Sequence, residues 1–144
     1  MKTEATFPLI DGVRYSIPGD WCTVEADGTL TLLGRGSACI NTAGEKVHAE
    51  EVEEALKQHD AVVDALVFGI PDEKWGNAVT AVVELARAGE LDEAAVRAFV
   101  RERLAGYKVP RSIDFETELP RHPTGKLLVR RLKERYWQGR ERRI

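Results

Sequence analysis

Ala61-Val-Val-Asp-Ala-Leu-Val-Phe-Gly-Ile70 and Ala78-Val-Thr-Ala-Val-Val-Glu-Leu85 are the two stretches whose reading decides the fold. Both are rich in Val and Leu, so each reads as a buried strand; the first stops at a turn in Gly69-Ile-Pro71-Asp72, and Trp75-Gly76-Asn77 lies in the connection. On the N-terminal side the spacing changes. From Ala49, the apolar residues Val52, Ala55 and Leu56 recur three and four apart, with Glu50, Glu51, Glu53 and Glu54 on the wet side, which predicts an amphipathic helix. The glutamates complement the positive end of the helix dipole, or simply solubilise the first turn. On the C-terminal side Gly89 closes a loop. Asp92 is placed to cap a second helix, whose Ala95, Val96, Phe99, Val100 and Leu104 form one apolar stripe before Gly106 ends it. Ser112 to Phe115 reads as a short strand, and a last helix is expected from about Leu128 to Trp137.

Further toward the N-terminus, residues 20 to 33 run apolar around Asp27-Gly28, a pair that favours positive φ in tight hairpins, and read as two antiparallel strands. Residues 39 to 48 read as a short two-stranded ribbon turning at Thr42-Ala43-Gly44. Between these pieces the small residues of 34 to 38 interrupt the pattern and mark a linker. The expected fold is α+β: an N-terminal β-hairpin, then a small sheet of about three strands packed with about three helices, plus the ribbon.

The 144 residues suit one folding unit, with 43% hydrophobic residues for a modest core. A net charge of -3 argues against general attraction to nucleic acid or anionic membranes. The segment from Lys126 to Ile144 is nonetheless strongly basic. It reads as a solvated helical face with snorkelling arginines, or as a patch that meets phosphates of a bound nucleotide. Cys22 and Cys39 make neither a metal-binding spacing nor a disulfide framework, which fits core thiols in a reduced compartment. No leader and no apolar run of membrane-spanning length is seen, so a cytoplasmic location without a membrane span is expected. His48, His59 and His122 show no triad or metal spacing and read as packing or surface residues.

Three stretches carry candidate chemistry. In Leu119-Pro-Arg-His-Pro-Thr-Gly-Lys126, Pro120 and Pro123 fix φ, and Gly125 permits a backbone geometry that a Cβ would forbid. The loop therefore presents Lys126 stiffly to an anion, or is a surface turn with a solvated lysine. Tyr15-Ser-Ile-Pro-Gly-Asp20-Trp21 places the Asp20 carboxylate at the mouth of the hairpin, where it can accept bonds from two vicinal hydroxyls or cap a turn. Gly34-Arg35-Gly-Ser-Ala-Cys-Ile-Asn-Thr-Ala-Gly-Glu-Lys-Val47 opens with Arg35, whose planar fork suits phosphate, carboxylate or a hairpin-end ion pair.

In order and spacing, these three stretches resemble the closing motifs of the adenylate-forming superfamily, which includes acyl-CoA synthetases, luciferases and nonribosomal-peptide adenylation domains. The wording from Gly34 to Val47 is most similar to bacterial fatty-acyl or steroid-side-chain CoA ligases. The resemblance implies that residues 1 to 35 are the terminal hairpin segment of a large N-terminal domain. Residues 36 to 144 would then be the mobile C-terminal domain, hinged at Gly36-Ser37-Ala38. Ser37 departs from the pattern, since many relatives carry Asp or Lys there. By the same resemblance Asp20 binds the ribose of the nucleotide, and Arg35 its ribose and phosphate side. Lys126 stabilises the transition state that forms the acyl-adenylate. Gly44 lines the pantetheine channel or merely supplies φ > 0 for its turn, while Lys46 meets a phosphate, and Lys108 and Arg111 lie near the coenzyme A nucleotide. The full enzyme would join a fatty or steroid-side-chain acid to coenzyme A through acyl-AMP, using ATP. Mg2+ is expected for it but has no ligand among these residues. The family's ATP loop and acyl pocket have no counterpart in this chain, so the chain alone is expected to be inactive. The alternatives are an adenylation domain that loads a carrier protein, and an interaction or regulatory module of the same fold.

Overall fold

The computed structural model describes residues 6–17, 19–35 and 39–138. Its strands are β1 (Leu9–Ile10), β2 (Val13–Arg14), β3 (Asp20–Val24), β4 (Leu30–Arg35), β5 (Cys39–Thr42) and β6 (Glu45–His48), followed by helix α1 (Ala49–Lys57). The chain continues through β7 (Val62–Asp72), β8 (Gly76–Leu85), α2 (Glu93–Arg101), a 3-10 turn (Gly106–Lys108), β9 (Ser112–Glu116) and α3 (Val129–Trp137). The α+β expectation holds, with one three-stranded sheet ordered β7-β8-β9 and three two-stranded antiparallel pairs. The expected hinge, Gly36-Ser37-Ala38, lies outside the described residues.

The sheet is covered on both faces, which is why β7 and β8 read as continuous apolar runs. Residues alternate along each strand. Ala65, Val67, Val79, Ala81 and Val83 point into a core closed by Val52 and Leu56 of α1, Val96 and Val100 of α2, and Ile40 and Val47 of the β5–β6 ribbon. Leu66, Phe68, Ile70, Ala78 and Val82 face the other way, against Leu132 of α3 and Leu119 of the lysine loop. The ribbon and the lysine loop therefore pack on opposite faces of the sheet.

The structure extends and corrects several expectations. β7 runs through Pro71, pairing Pro71 with Asn77 and Asp72 with Gly76, where the sequence suggested a turn. Proline has no N–H to give a second neighbour, and β7 is an edge strand of this sheet. α2 stops at Arg101, short of Gly106, because the Arg103 N–H bonds the Val100 carbonyl in a tightened last turn. Its predicted cap is present: the Asp92 carboxylate accepts the Ala95 N–H at 2.7 Å. The Asp27-Gly28 hairpin has a wider loop than a two-residue turn, since the Gly28 N–H bonds the Glu25 carbonyl and the Glu25 N–H bonds that of Thr29. β1 and β2, turning at Asp11-Gly12, were not anticipated, although Asp-Gly carried the hairpin signal. Cys39 is half-buried, but Cys22 is exposed, contrary to its reading as a core thiol. Its whole strand is exposed: every residue of β3 faces solvent, as do Leu30 and Leu32 of β4.

Candidate functional site

Lys126 stands in a small hairpin of its own. Arg121 and Leu127 form an antiparallel bridge, and the Leu128 N–H donates to the Pro120 carbonyl at 2.8 Å. Inside this stem the His122 N–H donates to the Lys126 carbonyl at 2.8 Å, and the Gly125 N–H to the His122 carbonyl at 2.7 Å. Gly125 has φ of +85°, a conformation a side chain there would strain. His122 Nδ1 accepts the Thr124 N–H at 3.3 Å and lies 2.9 Å from Thr124 Oγ1, so this histidine braces the loop from within. The base of the stem is buried by Leu119 and half-buried by Leu127. The exposed Lys126 ammonium has no carboxylate partner among the described residues. A fixed backbone with an unpaired cation beside its turn suits electrostatic contact with an anion that arrives from outside the chain.

Asp20 and Arg35 are cross-strand partners at one end of the β3–β4 hairpin, so the structure brings these two predicted residues together. Gly44 and Lys46 belong to a different strand pair, at the exposed end of the β5–β6 ribbon. Ala43 and Gly44 both adopt positive φ, at 51° and 83°, which builds a two-residue turn between the paired Thr42 and Glu45. Within this chain nothing lies within 4 Å of where a Gly44 Cβ would be, so its requirement here is conformational. The ribbon is pinned by the Ala43 N–H donating to the Trp75 carbonyl at 2.8 Å and by Asn77 Nδ2 donating to the Asn41 carbonyl at 3.1 Å. A Cβ at Gly69 would come within 2.9 Å of Ile40 Cγ2, so a glycine lets the ribbon lie close on β7. Lys108 and Arg111 are engaged inside the chain. Both oxygens of the Glu51 carboxylate lie 2.8 Å from Lys108 Nζ, and the Arg111 guanidinium stacks 3.9 Å from the centre of the Trp75 ring.

Sequence reasoning missed what fastens the lysine loop to the sheet. Arg121 Nη2 donates to Asp64 Oδ2 at 2.6 Å and lies 3.5 Å from Glu84 Oε2, while Glu84 Oε2 also accepts the Leu119 N–H at 2.9 Å. The available signal was Asp64 and Glu84 themselves, two carboxylates inside otherwise apolar strands. Among the described residues no group of three His, Cys, Asp or Glu side chains could hold a metal ion. None of the described helices is long and apolar enough to cross a membrane.

The family model described as the AMP-binding enzyme C-terminal domain matches residues 51–126, from the first turn of α1 through Lys126. The chain belongs to this family. A 3-oxocholest-4-en-26-oate–CoA ligase of Rhodococcus rhodochrous is 60% identical over 128 residues, covering 87% of this chain and 22% of the relative. A medium/long-chain-fatty-acid–CoA/3-oxocholest-4-en-26-oate–CoA ligase of Mycobacterium tuberculosis is 54% identical over 133 residues, covering 92% of this chain and 24% of the relative. This AMP-binding C-terminal domain thus spans under a quarter of the length of either relative. Among solved structures, apo MatB from Rhodopseudomonas palustris superposes with a TM-score of 0.80 at 33% identity, over 94% of this chain and 26% of that one. The o-succinylbenzoate CoA synthetase of Bacillus subtilis, in complex with its acyl-adenylate intermediate, gives a TM-score of 0.75 at 35% identity, over 90% of this chain and 26% of that one.

Proposed function

We propose that this chain is the C-terminal part of an ATP-dependent acyl-CoA ligase, and that Lys126 is its adenylation lysine. The observation that carries the reading is an ammonium without a carboxylate partner among the described residues, held beside the turn of a hydrogen-bonded loop, in a domain whose named relatives are CoA ligases. In the first half-reaction a carboxylate oxygen of the substrate attacks the α-phosphorus of ATP. The bond from that phosphorus to the bridging oxygen breaks, pyrophosphate leaves, and acyl-AMP forms. Negative charge grows on the phosphoryl oxygens, and an ammonium already in place lowers the barrier without solvent having to reorganise. Asp20 would accept hydrogen bonds from the ribose hydroxyls, with Arg35 beside the phosphate. In the second half-reaction the sulfur of coenzyme A attacks the acyl carbonyl and AMP departs, with the Gly44 turn and Lys46 beside the incoming arm. Support for two separate presentations comes from the packing of the ribbon and the lysine loop on opposite faces of the sheet.

The acid is read as a fatty or steroid-side-chain carboxylate, from the names of the Rhodococcus and Mycobacterium ligases. Mg2+ would be held by groups other than Asp20, Arg35, Gly44, Lys46 and Lys126, and a cytoplasmic location belongs to the same reading. Residues 1–35 are read as belonging to a large N-terminal domain, supported by exposed Leu9, Trp21, Val24, Leu30 and Leu32, which this chain leaves uncovered.

The test is Lys126→Ala in the full-length enzyme that carries this chain. Adenylation, followed by pyrophosphate release, should slow by roughly two or more orders of magnitude. Thioester formation from supplied acyl-AMP should stay near the parent rate. Equal losses in both half-reactions would sink the proposed role.

A further inference from the structure

Asp64 and Glu84 are direct cross-strand partners on β7 and β8, just past the register shift between Val62 and Asp64. Two like charges facing each other across a sheet repel, the more so when half-buried; here only 19% of the Asp64 and 14% of the Glu84 side chain is exposed. One cation lies between them. Arg121 Nη2 is 2.6 Å from Asp64 Oδ2 and 3.5 Å from Glu84 Oε2, and Nη1 reaches toward the Gly125 carbonyl at 3.4 Å. Asp64 Oδ1 is meanwhile held by the Ala65 N–H at 2.8 Å, and Glu84 Oε2 by the Leu119 N–H at 2.9 Å. The sheet thus sets two carboxylates side by side, and the lysine loop brings a guanidinium that meets both.

We infer that Arg121, seated on Asp64 and Glu84, is a positioning residue that fixes the lysine loop to the sheet and sets where Lys126 stands during adenylation. This rests on the adenylation role of Lys126 proposed above. The guanidinium touches no reacting group. It acts by joining β7, β8 and the crown of the loop in one network, whose planar fork a point-charge ammonium cannot reproduce. Losing it removes the cation that meets both carboxylates and frees the loop to shift, and a displacement near 1 Å at a charge-stabilising group can cost on the order of 100-fold in rate. The ribbon on the opposite face does not depend on this seat, so the second half-reaction should not either.

The experiment uses the full-length enzyme with four variants: Arg121→Met, Arg121→Lys, Asp64→Asn and, as reference, Lys126→Ala. Arg121→Met should slow adenylation by about 10- to 100-fold, leaving thioester formation from supplied acyl-AMP within about twofold of the parent. Arg121→Lys should recover part of the loss, and Asp64→Asn should reproduce a smaller version of it if Arg121→Met folds poorly. Hydrogen exchange measured by mass spectrometry should quicken in the peptide spanning 119–128 and stay unchanged in that spanning 78–85. If Lys126→Ala slows adenylation while Arg121→Met and Asp64→Asn both stay within twofold of the parent, the positioning role is overturned and the lysine reading stands. If Lys126→Ala itself leaves adenylation intact, the underlying reading fails. A matched fall of both half-reactions in Arg121→Met and Asp64→Asn alike would make the network structural only, and would overturn the inference.

Discussion

Glu53 shows how one residue's burial writes itself into the stability of this domain. Its carboxylate accepts the Val67 N–H at 2.8 Å, tying α1 to β7. Burial nevertheless outweighs that bond and raises its pKa above the ordinary 4.5. For a folded-state pKa that is raised, the favourable contribution is complete below the unfolded value and is lost as pH climbs through the folded one. Glu53→Gln keeps an acceptor for Val67 and removes the charge. The variant should therefore match the parent near pH 4 and become the more stable of the two as pH rises toward 7, as urea midpoints at each pH would register. A parent that gains on the variant with rising pH would contradict the sign. At this scale much of the candidate site could be read in advance, because Pro120, Pro123 and Gly125 restrict the backbone locally around Lys126. The seat beneath it could not: Arg121 and Asp64 are 57 residues apart, and their meeting depends on which residues of β7 and β8 face each other.

Helix α3 has few internal reasons to form. Its N-cap residue, Leu128, provides no side-chain hydrogen bond, and its sequence is crowded with charge. What holds it is the sheet. Leu132 is fully buried among Leu66, Phe68, Ile70 and Val82, and Tyr136 packs edge-on against Phe68 with ring centres 5.3 Å apart. Ion pairs at the rim, such as Arg135 with Glu116 at 2.8 Å, are exposed and contribute little by comparison. Leu132→Ala should cost about 2–5 kcal/mol in urea unfolding, the usual range for a leucine truncated in a core. A cost under about 0.5 kcal/mol would mean that α3 is not docked here. Apart from β1 and β2, the positions of strands and helices were legible from periodicity, with ends displaced by a few residues. The parallel pairing of β8 with β9 was not, since it depends on how α2 carries the chain back across the sheet.

The buried apolar core begins at Ile40 and ends at Leu132, with no described residue before Ile40 in either cluster. The two N-terminal hairpins contribute strands but no buried core. Removing residues 1–35 should therefore leave one cooperative unfolding transition with its midpoint within a few degrees of the parent, and should reduce binding of a hydrophobic dye, as Trp21, at 61% exposure, and Leu32, at 69%, depart with the hairpin. Loss of the cooperative transition on truncation would show that the hairpins belong to the same folding unit as the sheet.

The sequence by itself determined the element types, the amphipathic faces and the stiff presentation of Lys126, because propensity, hydrophobic period and turn chemistry act between near neighbours. It also determined that the β3–β4 hairpin is apolar, though not that this chain would leave it exposed. Only the tertiary structure decided the register that sets Asp64 opposite Glu84, and the guanidinium drawn between them. It also decided that the ribbon and the lysine loop lie on opposite faces of the sheet. These arrangements arise from contacts between residues distant in the chain, where local preference is silent and the burial of two-sided strands selects the pairing.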